Sequence, residues 1–114
     1  MIAQGHILHI ADEDAWGRMR STATYAPGAY KDEGFIHCCG ADQLNDVLER
    51  HFQDTTEVTV LVINPASLTS EVRVEEVYPG ETFPHIHGAI NTSAVVSVLS
   101  VGANDGSWDL SALY

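Results

Sequence analysis

Four of the six histidines sit inside short apolar runs. His9 lies in Ile7-Leu8-His9-Ile10, His37 in Gly34-Phe35-Ile36-His37-Cys38-Cys39, and His85 and His87 in Phe83-Pro84-His85-Ile86-His87-Gly88. An imidazole titrates near neutrality and is costly to bury unless it is hydrogen-bonded, ligates a metal or faces a wet cleft. Three separated runs therefore carry such rings into half-buried sheet. If the runs meet, they line one site.

Three chemistries compete for that site. His85 and His87 are two apart and share one face of a strand, so they can chelate a transition metal with His9, His37, Cys38 or Glu81 as a third ligand. A thiol nucleophile would need Cys38 beside a base; His37 and Cys38 point to opposite faces, which leaves His9 or His85 across the sheet. The plainer reading of both cysteines is a buried, inert thiol. The third chemistry is hydrogen bonding to a ligand. No P-loop, dinucleotide-binding glycine fingerprint, zinc ribbon, calcium loop or serine nucleophile elbow is present. His51 continues the apolar face of a helix, His6 stands at a strand edge, and Trp16 and Trp108 read as core residues.

The elements that must position these residues follow from the pattern. Residues 6–10 read as a strand, after which Asp12 caps a helix running to about Arg20, acidic at its start and basic at its end. Residues 21–34 are turn-rich, with Tyr25 and Tyr30 embedded, and form a candidate lid over the site. Phe35 to Cys38 reads as a second strand. Gly40 to about Phe52 is the clearest helix, with Leu44, Val47, Leu48 and His51 recurring at three and four. Val58 to Ile63 is a central strand buried on both faces. Residues 72–77 alternate as a half-exposed strand, Tyr78-Pro79-Gly80-Glu81 turns, and the histidine strand follows at 85–90. Ala94 to Val101 reads as a last buried strand, and Trp108, Leu110 and Tyr114 are expected to pack back on the body. Helices early and strands late make an α+β order.

The chain has 114 residues, enough for one domain, 1–114, with one core. Sixteen acidic residues against five Lys and Arg give a formal net charge of −11. So little basic surface argues against nucleic acid and anionic membranes as partners. No run approaches membrane-spanning length, no secretory leader is apparent at the start, and Cys38 and Cys39 are adjacent and poorly placed to bridge each other. The expected compartment is the cytoplasm, and the expected assembly a monomer or weak homo-oligomer.

The three runs taken together, (Ile/Leu)-x-His-Ile, Gly-Phe-Ile-His-Cys and Glu-x-Phe-Pro-His-Ile-x-Gly, with Trp16 and Asn64-Pro65-x-x-Leu68, resemble the domain of unknown function 952 family of small bacterial proteins. The resemblance covers residues 6–101, leaving 102–114 as a tail. Cys39 stands where serine is common, and His87 where tyrosine is common, which weakens a metal-ligand role for His87. The resemblance implies membership of the ADP-ribosylation superfamily, whose split sheet grips NAD in a cleft. By order along the chain, His9 would hold a ribose, the strand from Phe35 to Cys38 would form the nicotinamide pocket, and the segment from Glu81 to His87 would orient the second ribose. A carboxylate such as Glu81 would stabilise the oxocarbenium state of nicotinamide cleavage.

The fold expected is thus α+β: two early short helices and a twisted, mainly antiparallel split sheet of five or six strands. The site expected is one cleft holding His9, His37 and His85, with Glu81 and His87 at its rim. His37, His85 and Glu81 are the catalytic candidates; His9, Phe35, Tyr30 and His87 are the candidates for holding the ligand. NAD or a related nucleotide is the expected ligand of a transferase-like protein, with no metal. The alternatives are a non-catalytic small-ligand domain and a metal-dependent enzyme using His85 and His87.

Overall fold

A computed structural model describes residues 5–105 and 107–113; Tyr114, expected to pack on the body, lies outside them. The chain opens with β1 (Ile7–Ile10). Asp12 then accepts a bond from the Ala15 amide and starts α1 (Glu13–Met19), whose Ala15 and Trp16 are buried. The turn-rich stretch contains β2 (Thr24–Tyr25) and a four-residue α2 (Tyr30–Glu33), closed by Gly34 in the left-handed region at φ 79°. After β3 (Ile36–His37), α3 (Leu44–His51) buries Leu44 and Leu48, one turn apart on a single face. Strands β4 (Glu57–Ile63), β5 (Glu71–Tyr78), β6 (Glu81–His87), β7 (Ile90–Asn91), β8 (Val95–Asn104) and β9 (Ser107–Trp108) complete it.

Among the described residues these strands form three antiparallel sheets: β1-β4-β8-β9, β3-β6-β5 and the pair β2-β7. The first two meet where Leu8 and Cys39 exchange backbone bonds at 2.8 Å. The α+β expectation holds. Among the described residues three α-helices replace two, and nine strands in three sheets replace a split sheet of five or six.

The β-branched run of β4 is central because both of its faces are covered. Leu61 and Ile63 pack with Trp16, Tyr25, Ile36 and Ile86 on one side. Val58, Val60 and Val62 pack with Leu8, Leu44, Leu48 and Phe83 on the other, where Trp108 and Leu110 also dock. The expectation of a buried last strand is corrected. In β8, Val96 is 49% and Val98 43% exposed, because β9 pairs only with Ala103 and Asn104 and leaves the rest of that edge uncovered.

The histidine strand begins earlier than its composition suggests, at Glu81, and runs through Pro84. Proline is unusual inside a sheet because it lacks an N–H. Here its carbonyl accepts from Cys38 just past the end of β3. In an antiparallel strand the N–H of a residue faces the same side as its carbonyl. The missing donor of Pro84 therefore points beyond the two-residue β3 and not at β5.

Candidate functional site

Residue pairing across β3-β6-β5 sorts the three-stranded sheet into two faces. Ile36 sits beside Ile86, which sits beside Val72, and this face joins the core. His37 is opposite His85, and Arg73, Glu75 and Glu71 follow on the same side. The second face is thus polar and aromatic, and it opens on a cleft of about 490 Å³ where the two large sheets meet. His9, His37 and His85 all line the cleft, with Phe35, Phe83 and the two cysteines. Val47, Arg50, His51 and Phe52 of α3 form a second wall, and Asp12, Pro27, Ala29 and Glu33 a third.

The histidines do different work. His9 is 5% exposed, and both of its nitrogens are used: Nδ1 donates to the His37 carbonyl at 2.7 Å, and Nε2 accepts from the Tyr25 hydroxyl at 2.8 Å. The same hydroxyl oxygen accepts from the Asp12 amide at 3.0 Å. Burial brings the His9 pKa down to about 4, and the bond to His37 opposes that shift only in part. Burial also lifts Tyr25 to about 12. The ring is neutral at pH 7, which fixes the direction of each bond in the chain from Asp12 through Tyr25 and His9 to His37. The polar atoms of His9 already join β1 to β2 and β3, so a ribose hydroxyl would have to displace one of these bonds.

His85 is 4% exposed. Its Nδ1 lies 2.9 Å from Glu75 Oε1, and the His87 Nε2 lies 2.8 Å from the same oxygen. Hydrogen bonds from His87 and then His85 hold the Glu75 carboxyl below its ordinary pKa. The Phe35 ring stacks on His85, centroids 4.4 Å apart and planes 18° from parallel, while the His37 ring meets it edge-on at 5.2 Å. The His85 Nε2 atom is buried and, among the described residues, has no partner. His37 itself is half exposed, with Nε2 2.9 Å from Glu33 Oε2.

Other candidates fall elsewhere. Glu81 does not line the cleft; it pairs with Arg50 at 3.2 Å, and that guanidinium lies 4.7 Å over the Tyr78 ring. His87 turns to Glu75 and away from the lining, and Tyr30 packs on the core. The 21–34 stretch is not a free lid. Thr24 and Tyr25 pair with β7, and the Gly28 amide donates to Asp12 at 2.9 Å. Among the described residues no three His, Cys, Asp or Glu side chains converge as metal ligands. Burial raises the Cys39 thiol to about 12 and Cys38 further still, which leaves both as thiols and inert as nucleophiles.

Sequence and fold comparisons fit this architecture. The family pattern described as "Protein of unknown function (DUF952)" matches residues 10–98. The chain belongs to the DUF952 family. Its fold is similar to the crystal structure of protein CC0527 from Caulobacter crescentus, with a TM-score of 0.81 at 19% identity over 95% of this chain and 96% of that one. The solution NMR structure of CC0527 gives 0.79 at 18% identity, covering 97% of each chain. No curated protein matches. In this DUF952 chain the pattern matched spans β1's last residue to β8, and so all of the cleft walls except Leu8 and His9.

Glu75 is the site residue that sequence reasoning missed. Counting back from the Tyr78–Glu81 turn pairs Glu75 with Pro84 and puts it on the face away from His85. A register shift between Glu76 and Tyr78 moves every later pair by one, so that Glu75 faces Phe83 and Arg73 faces His85. The second site element missed is the wall supplied by α3, whose Arg50, His51 and Phe52 lie at the helix end nearest Tyr78.

Proposed function

We propose that the cleft is a small-molecule site for a ligand with a flat ring, with NAD or a related nucleotide as the first candidate. The observation that carries the reading is the cleft itself. It lies within the volume range of small-ligand sites and is lined by aliphatic and aromatic side chains with a few converging polar ones. Phe35, Phe52, Tyr78 and Phe83 suit a nicotinamide or adenine ring. A pyrophosphate has one Arg or Lys among the lining residues, Arg50, which it would draw from Glu81. The relation to the ADP-ribosylation superfamily enters at this level. In that reading the ring lies against Phe83 and Tyr78 beside the stacked Phe35–His85 pair, and the carboxylate nearest the reacting bond is Glu33 or Asp12, which line the cleft, in place of Glu81.

A thermal-shift series with NAD, ADP-ribose and nicotinamide tests this. A ligand at a hundredfold excess over its Kd stabilises the folded chain by about 2.7 kcal/mol. Absence of any shift at millimolar nucleotide overturns the NAD assignment. A non-catalytic binding role is the second reading, favoured by the inert thiols and by a His9 whose nitrogens are both spent. ADP-ribose release from bound NAD, followed by chromatography, separates the two.

A further inference from the structure

We infer that His85 Nε2 is a reserved acceptor for a ligand donor, so that the cleft selects flat rings bearing an N–H or O–H group, and that His37 is the ring that moves to admit them. This rests on the small-molecule reading of the cleft and narrows its ligand.

Glu75, ionised, can only accept. Its Oε1 lies within bonding distance of His85 Nδ1 and His87 Nε2, so both nitrogens donate to it. That puts a proton on His85 Nδ1, and a second proton on Nε2 would be buried with no acceptor to receive it, which leaves Nε2 a bare lone pair. Among the described residues that lone pair is buried and unpartnered, a condition with a free-energy cost that folded proteins rarely leave standing. Two other buried nitrogens share it, Trp16 Nε1 and His6 Nδ1, but neither residue lines the cleft. A trapped water would need two to four polar partners, and Phe35, stacked on the same ring, supplies none. A donor on a ring that slides against Phe83 and Tyr78 would satisfy the atom and bury its own apolar face together.

Solvent does not reach Nε2, so a neighbouring ring must give way. Phe35 is held against both His85 and His87, with centroids 4.4 and 5.6 Å away. The His37 side chain is 55% exposed, and among the described residues its one ring hydrogen bond is to Glu33, itself at the surface. Exposed pairs of this kind contribute little stability. His37 is the weaker closure.

The test uses the whole chain, labelled with nitrogen-15, and two sets of probes: phenol, aniline and benzamide against toluene and anisole. The donor rings are expected to bind about tenfold more tightly and to move the His85 Nε2 resonance, while toluene and anisole leave it in place. Glu75→Gln can donate to Nδ1 as well as accept from it, which frees the tautomer and shrinks the preference. His37→Ala is expected to keep the preference and tighten all five probes. Equal binding of the two sets, or donor binding that leaves Nε2 unmoved, overturns the inference while the cleft reading stands. Failure of every ring to bind overturns both. Loss of the preference in His37→Ala would place the bond on His37 instead.

Discussion

The buried, neutral His9 makes the stability of this chain depend on pH in a defined window. Its pKa is about 4 folded against 6.5 in the unfolded chain. Between these values the unfolded chain binds a proton that the folded one refuses. Acidification therefore favours unfolding, and stability falls as pH drops from about 6.5 towards 4. The full gap corresponds to about 3 kcal/mol, and about 2 kcal/mol of it is lost between pH 7 and pH 5. Asp12 and Glu75, whose folded pKa values are lowered from 3.8 and 4.5, add slope of the same sign only towards the acid end, and that part cancels in a comparison with a His9 variant. The comparison variant is His9→Gln, which can donate to the His37 carbonyl and accept from Tyr25 without titrating. Urea unfolding at half-unit pH steps should give a wild-type free energy that falls by about 2 kcal/mol more than the variant's over that interval. Parallel pH profiles for the two proteins would refute the assignment of a neutral, proton-refusing His9.

Other consequences are equally open to measurement. Tyr25→Phe removes the hydroxyl shared by His9 Nε2 and the Asp12 amide, and should cost about 2 kcal/mol in urea unfolding with the fold retained. Asp12→Ala frees the amides of both Ala15 and Gly28 and should cost about 1–2 kcal/mol. Those two bonds lower the Asp12 pKa, so its contribution is complete above the unfolded carboxyl pKa near 3.8 and fades as pH falls through the lower folded value; the variant's deficit should vanish in acid. Cys38 and Cys39 should resist a thiol-disulfide reagent at pH 8 in the folded chain and react at once in denaturant, since burial keeps both protonated. Fast native labelling of either would contradict their placement.

Local signals were legible wherever the residues that decide an element lie inside it. Asp12 announces α1 by its own side chain, and the spacing of Leu44 and Leu48 announces α3. The β-branched run of β4 forecasts a strand with two covered faces. By contrast α2 has four residues, none of them buried, and is closed by Gly34, so no periodicity could reveal it. Pro84 reads as a strand breaker, and only the shortness of β3 makes it tolerable inside β6. The convergence of His9, His37 and His85 was legible from three motifs in three strands. The residue that sets the state of His85 was not, because one bulge decides which face Glu75 occupies.

That difference explains why histidines of similar sequence setting end with opposite roles. His9 and His85 are both strand residues, both buried and both on the cleft. His9 sits on the edge strand of a covered sheet, where a tyrosine from β2 and the backbone of β3 reach its two nitrogens. It is complete without a ligand and so contributes to cohesion between sheets. His85 sits mid-strand, with a carboxylate on one nitrogen and, among the described residues, no partner on the other. Its unmet bond makes the folded chain less stable than it need be by itself, and binding a donor would recover that loss. A ligand that fills the cleft and meets Nε2 should therefore stabilise the protein more than its apolar area implies. Replacing His85 with Phe should remove that excess while leaving the unliganded chain as stable as before, or more so.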